Sequence, residues 1–176
     1  MTGSALARRM WRAARLEAQL YEEVEADPRS LRQAGAVVGL VCAAGAAGGW
    51  LAGAGPERLA IDLLEPLVLW LGGSAFAYMV GATFLRGPHT RTDFAEVLRT
   101  TGFAFAPGLL RALAFLPPED RLGFAVAALG DLWILAAAVV AVRQALDFST
   151  PRALGTFGVA YGLLWLFLWA FLTLPF

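Results

Sequence analysis

Four charged residues sit where this 176-residue chain, 59% hydrophobic, has little water to offer them: Arg99, Arg111, Asp131 and Asp147. Arg99 and Arg111 lie inside "VLRTTGFAFAPGLLRALAFL", residues 97–116; Asp131 lies inside the next apolar run and Asp147 just after it. A charge inside a bilayer is costly unless it is paired, hydrated or snorkelling. A short turn, "PPEDR", joins the two runs and makes them antiparallel neighbours. Two rungs follow: Arg99 with Asp147 at one level, Arg111 with Asp131 at the other. Asp131 lies about nine residues into its run, roughly 13 Å at 1.5 Å per residue. It is too short to snorkel and calls for a buried partner, whereas Arg99 and Arg143 are close enough to a membrane face to snorkel instead. Pro107 removes a backbone hydrogen bond and crowds the carbonyl four residues earlier, and Gly108 loosens the same turn, so a mid-span kink is expected. Such a kink either shapes helix packing or, as in transporters, opens polar backbone to a substrate.

The remaining inventory is thin. His89 is the single histidine and Cys42 the single cysteine. Neither an intrachain disulfide nor a His/Cys metal cluster can be built. "GGSAF" around Ser74 has the look of an intramembrane serine nucleophile, but no apolar run holds a histidine to serve as its base. All 14 basic residues are arginine, so no glycine loop with a following lysine can cradle a phosphate. Asp62 and Glu65, at helical spacing, read as a cation site or as a solvated interfacial face. No basic patch lies beyond the N-terminal segment, so nucleic acid is not expected as a partner. No catalytic residue, metal or cofactor is expected, and neither is an enzyme.

The elements that position these residues are helices. Charged residues make up only 16% of the chain and the apolar residues fall in long runs, the signature of a membrane protein. The expected fold is an all-α polytopic bundle of five transmembrane helices, near 31–54, 67–85, 94–116, 122–146 and 154–174. An N-terminal cytoplasmic amphipathic helix, residues 1–30, precedes this transmembrane domain of 31–176. In the N-terminal helix Leu6, Met10, Ala13, Leu20 and Val24 recur on one face, and Arg8, Arg12 and Arg15 share another. With Trp11 this suits contact with anionic lipid headgroups; the alternative is packing on the protein's own loops. The first 30 residues hold no apolar run of the kind a cleavable signal needs.

Local signals punctuate the spans. Asp27 with Pro28, and Ser30 with Gln33, read as helix starts, as does the capping box Asp93/Glu96. Gly45, Gly49 and Gly53 recur every fourth residue, a spacing that serves close helix packing within the chain or a homodimer seam. Residues 55–66 read as a polar connection or a short interfacial helix. Arg8, Arg9, Arg12, Arg15, Arg29 and Arg32, then Arg86, Arg91, Arg143 and Arg152, fall on one side of a five-span layout, against Arg58 and Arg121 on the other. The positive-inside rule then puts the N-terminus in the cytoplasm and the C-terminus outside.

Three segments carry a family resemblance. "YEEVEADP", "TFLRGPHTRTDFAEVLRTTGFAFAPGLL" and "VVAVRQALDFSTPRA", in that order, resemble the bacterial branch of the Yip (Ypt-interacting protein) family, five-span integral membrane proteins. The resemblance implies a cytoplasmic N-terminus and no catalytic activity. Eukaryotic members associate with Rab-type GTPases and with one another. This chain has no counterpart of their Asp-Leu-Tyr-Gly-Pro motif, so a Rab-type GTPase is not carried over as a partner. The expected role is a scaffold or accessory subunit in a bacterial cytoplasmic membrane. Its expected partners are membrane lipids, other membrane proteins or further copies of itself. The alternative is a small transporter or channel-like protein with a polar site around Asp131 and Arg111.

Overall fold

The computed structural model describes residues 3–87, 92–113, 115–116 and 120–173, and the described elements are all helical. They are α1 (Gly3–Ala14), α2 (Ala18–Ala26), α3 (Ser30–Leu51), α4 (Pro56–Tyr78), α5 (Phe94–Ala104), α6 (Arg121–Ala145) and α7 (Thr150–Thr173). A π-helical turn, Met79–Phe84, extends α4, and a 3-10 segment, Ala106–Leu113, follows α5. Four helices are long and apolar enough to cross a membrane: α3, α4 with its π turn, α6 and α7. Parts of the expected loops, residues 88–91 with His89 and Arg91 and residues 117–119, lie outside the described residues.

Three sequence expectations change here. The run 94–116 is not one helix. Pro107 lacks an N–H, and its ring would strike the carbonyl of Phe103 in an α-helix. The chain instead tightens into 3-10 geometry, with Phe105 N–H donating to Gly102 and Gly108 N–H to Phe105. The result is a break and not a bend. Residues 55–66 are not a connection but the opening turns of α4. Pro56 takes the first helical position and Glu57 the first turn. Arg58 then reaches Asp62, one turn on, at 3.0 Å. The N-terminal segment is two helices, because Leu16 adopts φ 59°. Leu16 N–H bonds back to Ala13 and Glu17 N–H to Arg12, the paired bonds of a Schellman stop. Leucine there gives up the freedom that glycine would have.

The same stop ends α3 at Gly53 (φ 77°) and α6 at Asp147 (φ 52°). Gly53 is therefore a helix terminator and not part of a packing stripe. Gly45 and Gly49 do face a neighbour: a Cβ at Gly49 would come within 2.7 Å of the Asp62 carboxylate. That close approach joins α3 to α4 within one chain. At α5 the capping box forms in full: Asp93 accepts from the Glu96 backbone at 2.8 Å and Glu96 from the Asp93 backbone at 2.9 Å. The box expected at Ser30/Gln33 does not. Ser30 is buried and donates to Asp27, and Gln33 accepts from Arg9.

Two cores result. One joins α1, α2, α3, α5, Trp70 of α4 and the C-terminal half of α6 around Leu20, Tyr21, Val24, Val37, Val41 and Phe103. The other joins α4 with its π turn, α5, α6 and α7 around Val80, Val97, Val142, Leu146 and Ala160. The α1–α2 hairpin closes one end of the bundle. Trp133 donates to the Ala14 carbonyl at 2.7 Å, Gln144 to Glu22 at 2.7 Å, and Tyr21 to the Ala13 carbonyl at 3.2 Å. The segment from Phe94 to Leu113 runs from that end, where Arg99 meets Glu25, to the opposite end, where Arg111 meets Glu65.

Candidate functional site

At the open end, Arg111 projects from the 3-10 segment toward α4 and α6. Its Nη1 donates to Glu65 at 2.8 Å, and its Nη2 lies 3.9 Å from Asp131. Asp62, one turn before Glu65, is buried and held by Arg58. Five charged residues from three elements thus converge. The Arg111–Asp131 rung expected from sequence is present at long range, but Arg111 spends its short bond on Glu65. Glu65 was visible only as half of a carboxylate pair that read as a cation site or a solvated interfacial face. The missing signal was that α4 begins at Pro56, which sets Glu65 on that helix within reach of Arg111. Asp131 was expected to have a buried partner; Arg111 lies 3.9 Å away, and the Asp131 side chain is 66% exposed.

Two cavities meet at this cluster. One, of about 220 Å³, lies between α4, α5, α6 and α7, against Leu69, Trp70, Phe105, Ile134, Tyr161 and Trp165. The other, of about 540 Å³, lies between α3, α4, the 3-10 segment and α6, with Gly45, Gly49, Gly108 and Gly130 in its walls. Glu65, Arg111 and Asp131 line both. Pro107 and Gly108 make this possible. A Cβ at Gly108 would meet Val41 at 2.8 Å, so glycine lets the broken segment lie against α3. Deeper in the first cavity the hydroxyls are already engaged. Ser74 donates to the Trp70 carbonyl at 2.6 Å and lies 2.7 Å from Thr101 Oγ1, and Trp70 donates to the Leu98 carbonyl at 2.9 Å. Ser74 therefore serves helix contacts.

The closed end carries the other expected rung, and here the structure corrects it. Arg99 does not pair with Asp147. Its guanidinium makes two hydrogen bonds to the Glu25 backbone carbonyl, from Nε at 3.1 Å and from Nη2. Glu96 lies 3.9 Å away. The reason is the α1–α2 hairpin, which brings the C-terminal turn of α2 onto α5 and supplies a closer acceptor. Asp147 sits at the left-handed stop of α6 with its side chain exposed. The Glu25 carboxyl is pushed up to about 7, by burial first and then by the nearby charges of Glu96 and Asp147. Of the arginines assigned to anionic lipid, Arg12 bonds Glu17 and Glu23, both at 2.8 Å. Those bonds hold the Glu23 carboxyl below its usual range. Arg8 and Arg15 are exposed, Arg15 being 3.9 Å from Glu17. The apolar face of the hairpin, with Met10, Ala13, Leu20 and Val24 buried, packs on the bundle.

The model of the Yip1 domain family matches residues 17–172. The chain belongs to the Yip1 domain family. The match begins just past the Leu16 stop and takes in all four candidate spans of this Yip1 domain together with the broken segment. No curated protein and no solved structure matches the chain. Among the described residues of the Yip1 domain, no group of three His, Cys, Asp or Glu side chains is placed to hold a metal ion.

Proposed function

We propose that this Yip1-family protein is a non-enzymatic integral membrane scaffold or accessory subunit that binds lipids or partner membrane proteins in a bacterial cytoplasmic membrane. The observation that carries the reading is the apolar surface of α4 and α7. Ile61, Leu64, Leu71, Val159, Trp165, Leu166, Trp169 and Leu172 are all exposed. Contiguous apolar faces of this size call for lipid or a neighbouring helix. Five crossings are part of the proposal, the third being broken. As an 11-residue helix and an eight-residue 3-10 segment, it has a length of about 17 Å plus about 16 Å, which suits a hydrocarbon core of about 30 Å. An odd number of crossings agrees with the arginine distribution, which favours a cytoplasmic N-terminus and an outer C-terminus.

The test is extraction from the native membrane in a lipid-retaining polymer particle, followed by mass spectrometry of every component present in stoichiometric amount. A fixed protein partner or an enriched lipid supports the reading; a bare chain with neither overturns it. The second reading, a small transporter, is favoured by the meeting of two cavities at Arg111 and Asp131. It requires that Asp131→Asn abolish solute flux in proteoliposomes while thermal unfolding stays unchanged.

A further inference from the structure

The cavity between α4, α6 and α7 has a wall and a mouth of complementary kinds. Phe157, Tyr161 and Trp165 stand one turn apart on α7. The first two rings stack at 5.6 Å, and the last two meet edge-on at 6.1 Å. Asp131 stands at the mouth with its carboxylate largely open. This cavity is lined by two carboxylates, Glu65 and Asp131, against one cation, Arg111, and Arg58 and Asp62 line only the adjoining one. Arg58 and Arg111 make their short contacts to Asp62 and Glu65, at 3.0 and 2.8 Å. Asp131 is the carboxylate left with only a 3.9 Å contact. A carboxylate beside aromatic faces is the chemistry that recognises an ammonium group, by charge and by cation–π attraction. The neighbouring apolar wall would take the methylenes attached to it.

We infer that the cavity binds an amphiphile whose head is an ammonium group, seated at Asp131 against Tyr161 and Trp165, with its apolar part along Leu69, Trp70 and Leu135. The site deepens the proposed function and rests on it, because it names the class of lipid or small molecule that the scaffold holds. Two sources supply this chemistry. One is an aminophospholipid such as phosphatidylethanolamine, whose phosphate falls within reach of Arg111. The other is a soluble hydrophobic amine.

The test uses the full chain purified in a maltoside detergent. Native mass spectrometry follows adducts after addition of equal phosphatidylethanolamine and phosphatidylglycerol. Tryptophan fluorescence follows titration with octylammonium against octanol. The site requires at least fivefold preference for phosphatidylethanolamine or for octylammonium, lost in Asp131→Asn and kept in Glu57→Gln, an exposed carboxylate in the first turn of α4. Preference in the lipid arm alone assigns the aminophospholipid, and preference in the amine arm alone assigns the soluble amine. Equal binding of both lipids together with equal response to octylammonium and octanol, or a preference untouched by Asp131→Asn, overturns the inference. Lipid adducts without ammonium preference would do so while leaving the scaffold reading intact.

Discussion

Arg99 and Arg111 lie on one stretch of chain, on either side of Pro107, and meet opposite surroundings. The Arg99 side chain is 7% exposed and the Arg111 side chain 24%. Arg99 is sealed under the α1–α2 hairpin and gives its hydrogen bonds to a backbone carbonyl, an acceptor that cannot rotate away or take up a proton. Arg111 is held by carboxylates from two other helices, at the junction of two cavities. At the closed end the polar groups are spent on holding elements together. At the open end they form a charged, partly accessible surface. A buried donor aimed at a fixed acceptor stabilises the fold and is costly to orphan. A partly exposed ion pair contributes little net stability and leaves charge available to a ligand.

Mutations at the two ends should differ accordingly. Arg99→Ala leaves the Glu25 carbonyl without its donor and empties the space of a buried side chain, so unfolding in nanodiscs should show a loss of about 3 kcal/mol. A lysine, which lacks the guanidinium fork, should restore only part of it. A loss at Arg99 no greater than at Arg111 would erase the contrast between the ends. Arg111→Ala should cost about 1–2 kcal/mol, because exposure screens the pair. In a cycle with Glu65→Gln the two losses should be non-additive, and the exchanged pair Glu65→Arg with Arg111→Glu should recover most of the stability. Strict additivity would mean that the 2.8 Å contact carries no energy.

Gly53→Ala forces a side chain into the left-handed stop of α3 and should cost about 1 kcal/mol. It should leave the cavities alone, whereas Gly49→Ala should disturb them by pushing against Asp62.

The smallest effect expected is one of pH. Glu25 titrates in the folded protein at about 7, above its ordinary range near 4.5. The folded state therefore holds a proton that the unfolded chain has released. The stability this contributes is complete below about 4.5, falls as pH rises, and is gone above about 7. Glu25→Gln should flatten that decline in melting temperature. An unchanged slope would place the titrating group elsewhere.

The apolar runs of α3, α6 and α7 and the Asp93/Glu96 cap were legible because each rests on a few neighbouring residues; Pro107 was legible as a kink, and not as the break it makes. The Arg111–Asp131 approach was legible because antiparallel neighbours joined by a short turn have few registers open to them. Glu65 was not, because its depth depends on where α4 starts, and the polar run 55–66 also suits a loop. The Arg99 partner was not, because a backbone carbonyl leaves no mark in a sequence. Gly53 shared the spacing of Gly45 and Gly49, yet the helix stops before it could pack.

The sequence by itself determined a helical protein with apolar runs long enough to cross a membrane and with charges placed inside them. Hydrophobic run length and local capping decide that much, and both act over a few turns of chain. Only the tertiary structure decided that the N-terminal helices fold back onto the bundle, that Arg99 and Arg111 choose different partners, and that two cavities meet at Asp131. Those outcomes depend on which surfaces pack together across the bundle, and no single segment encodes them.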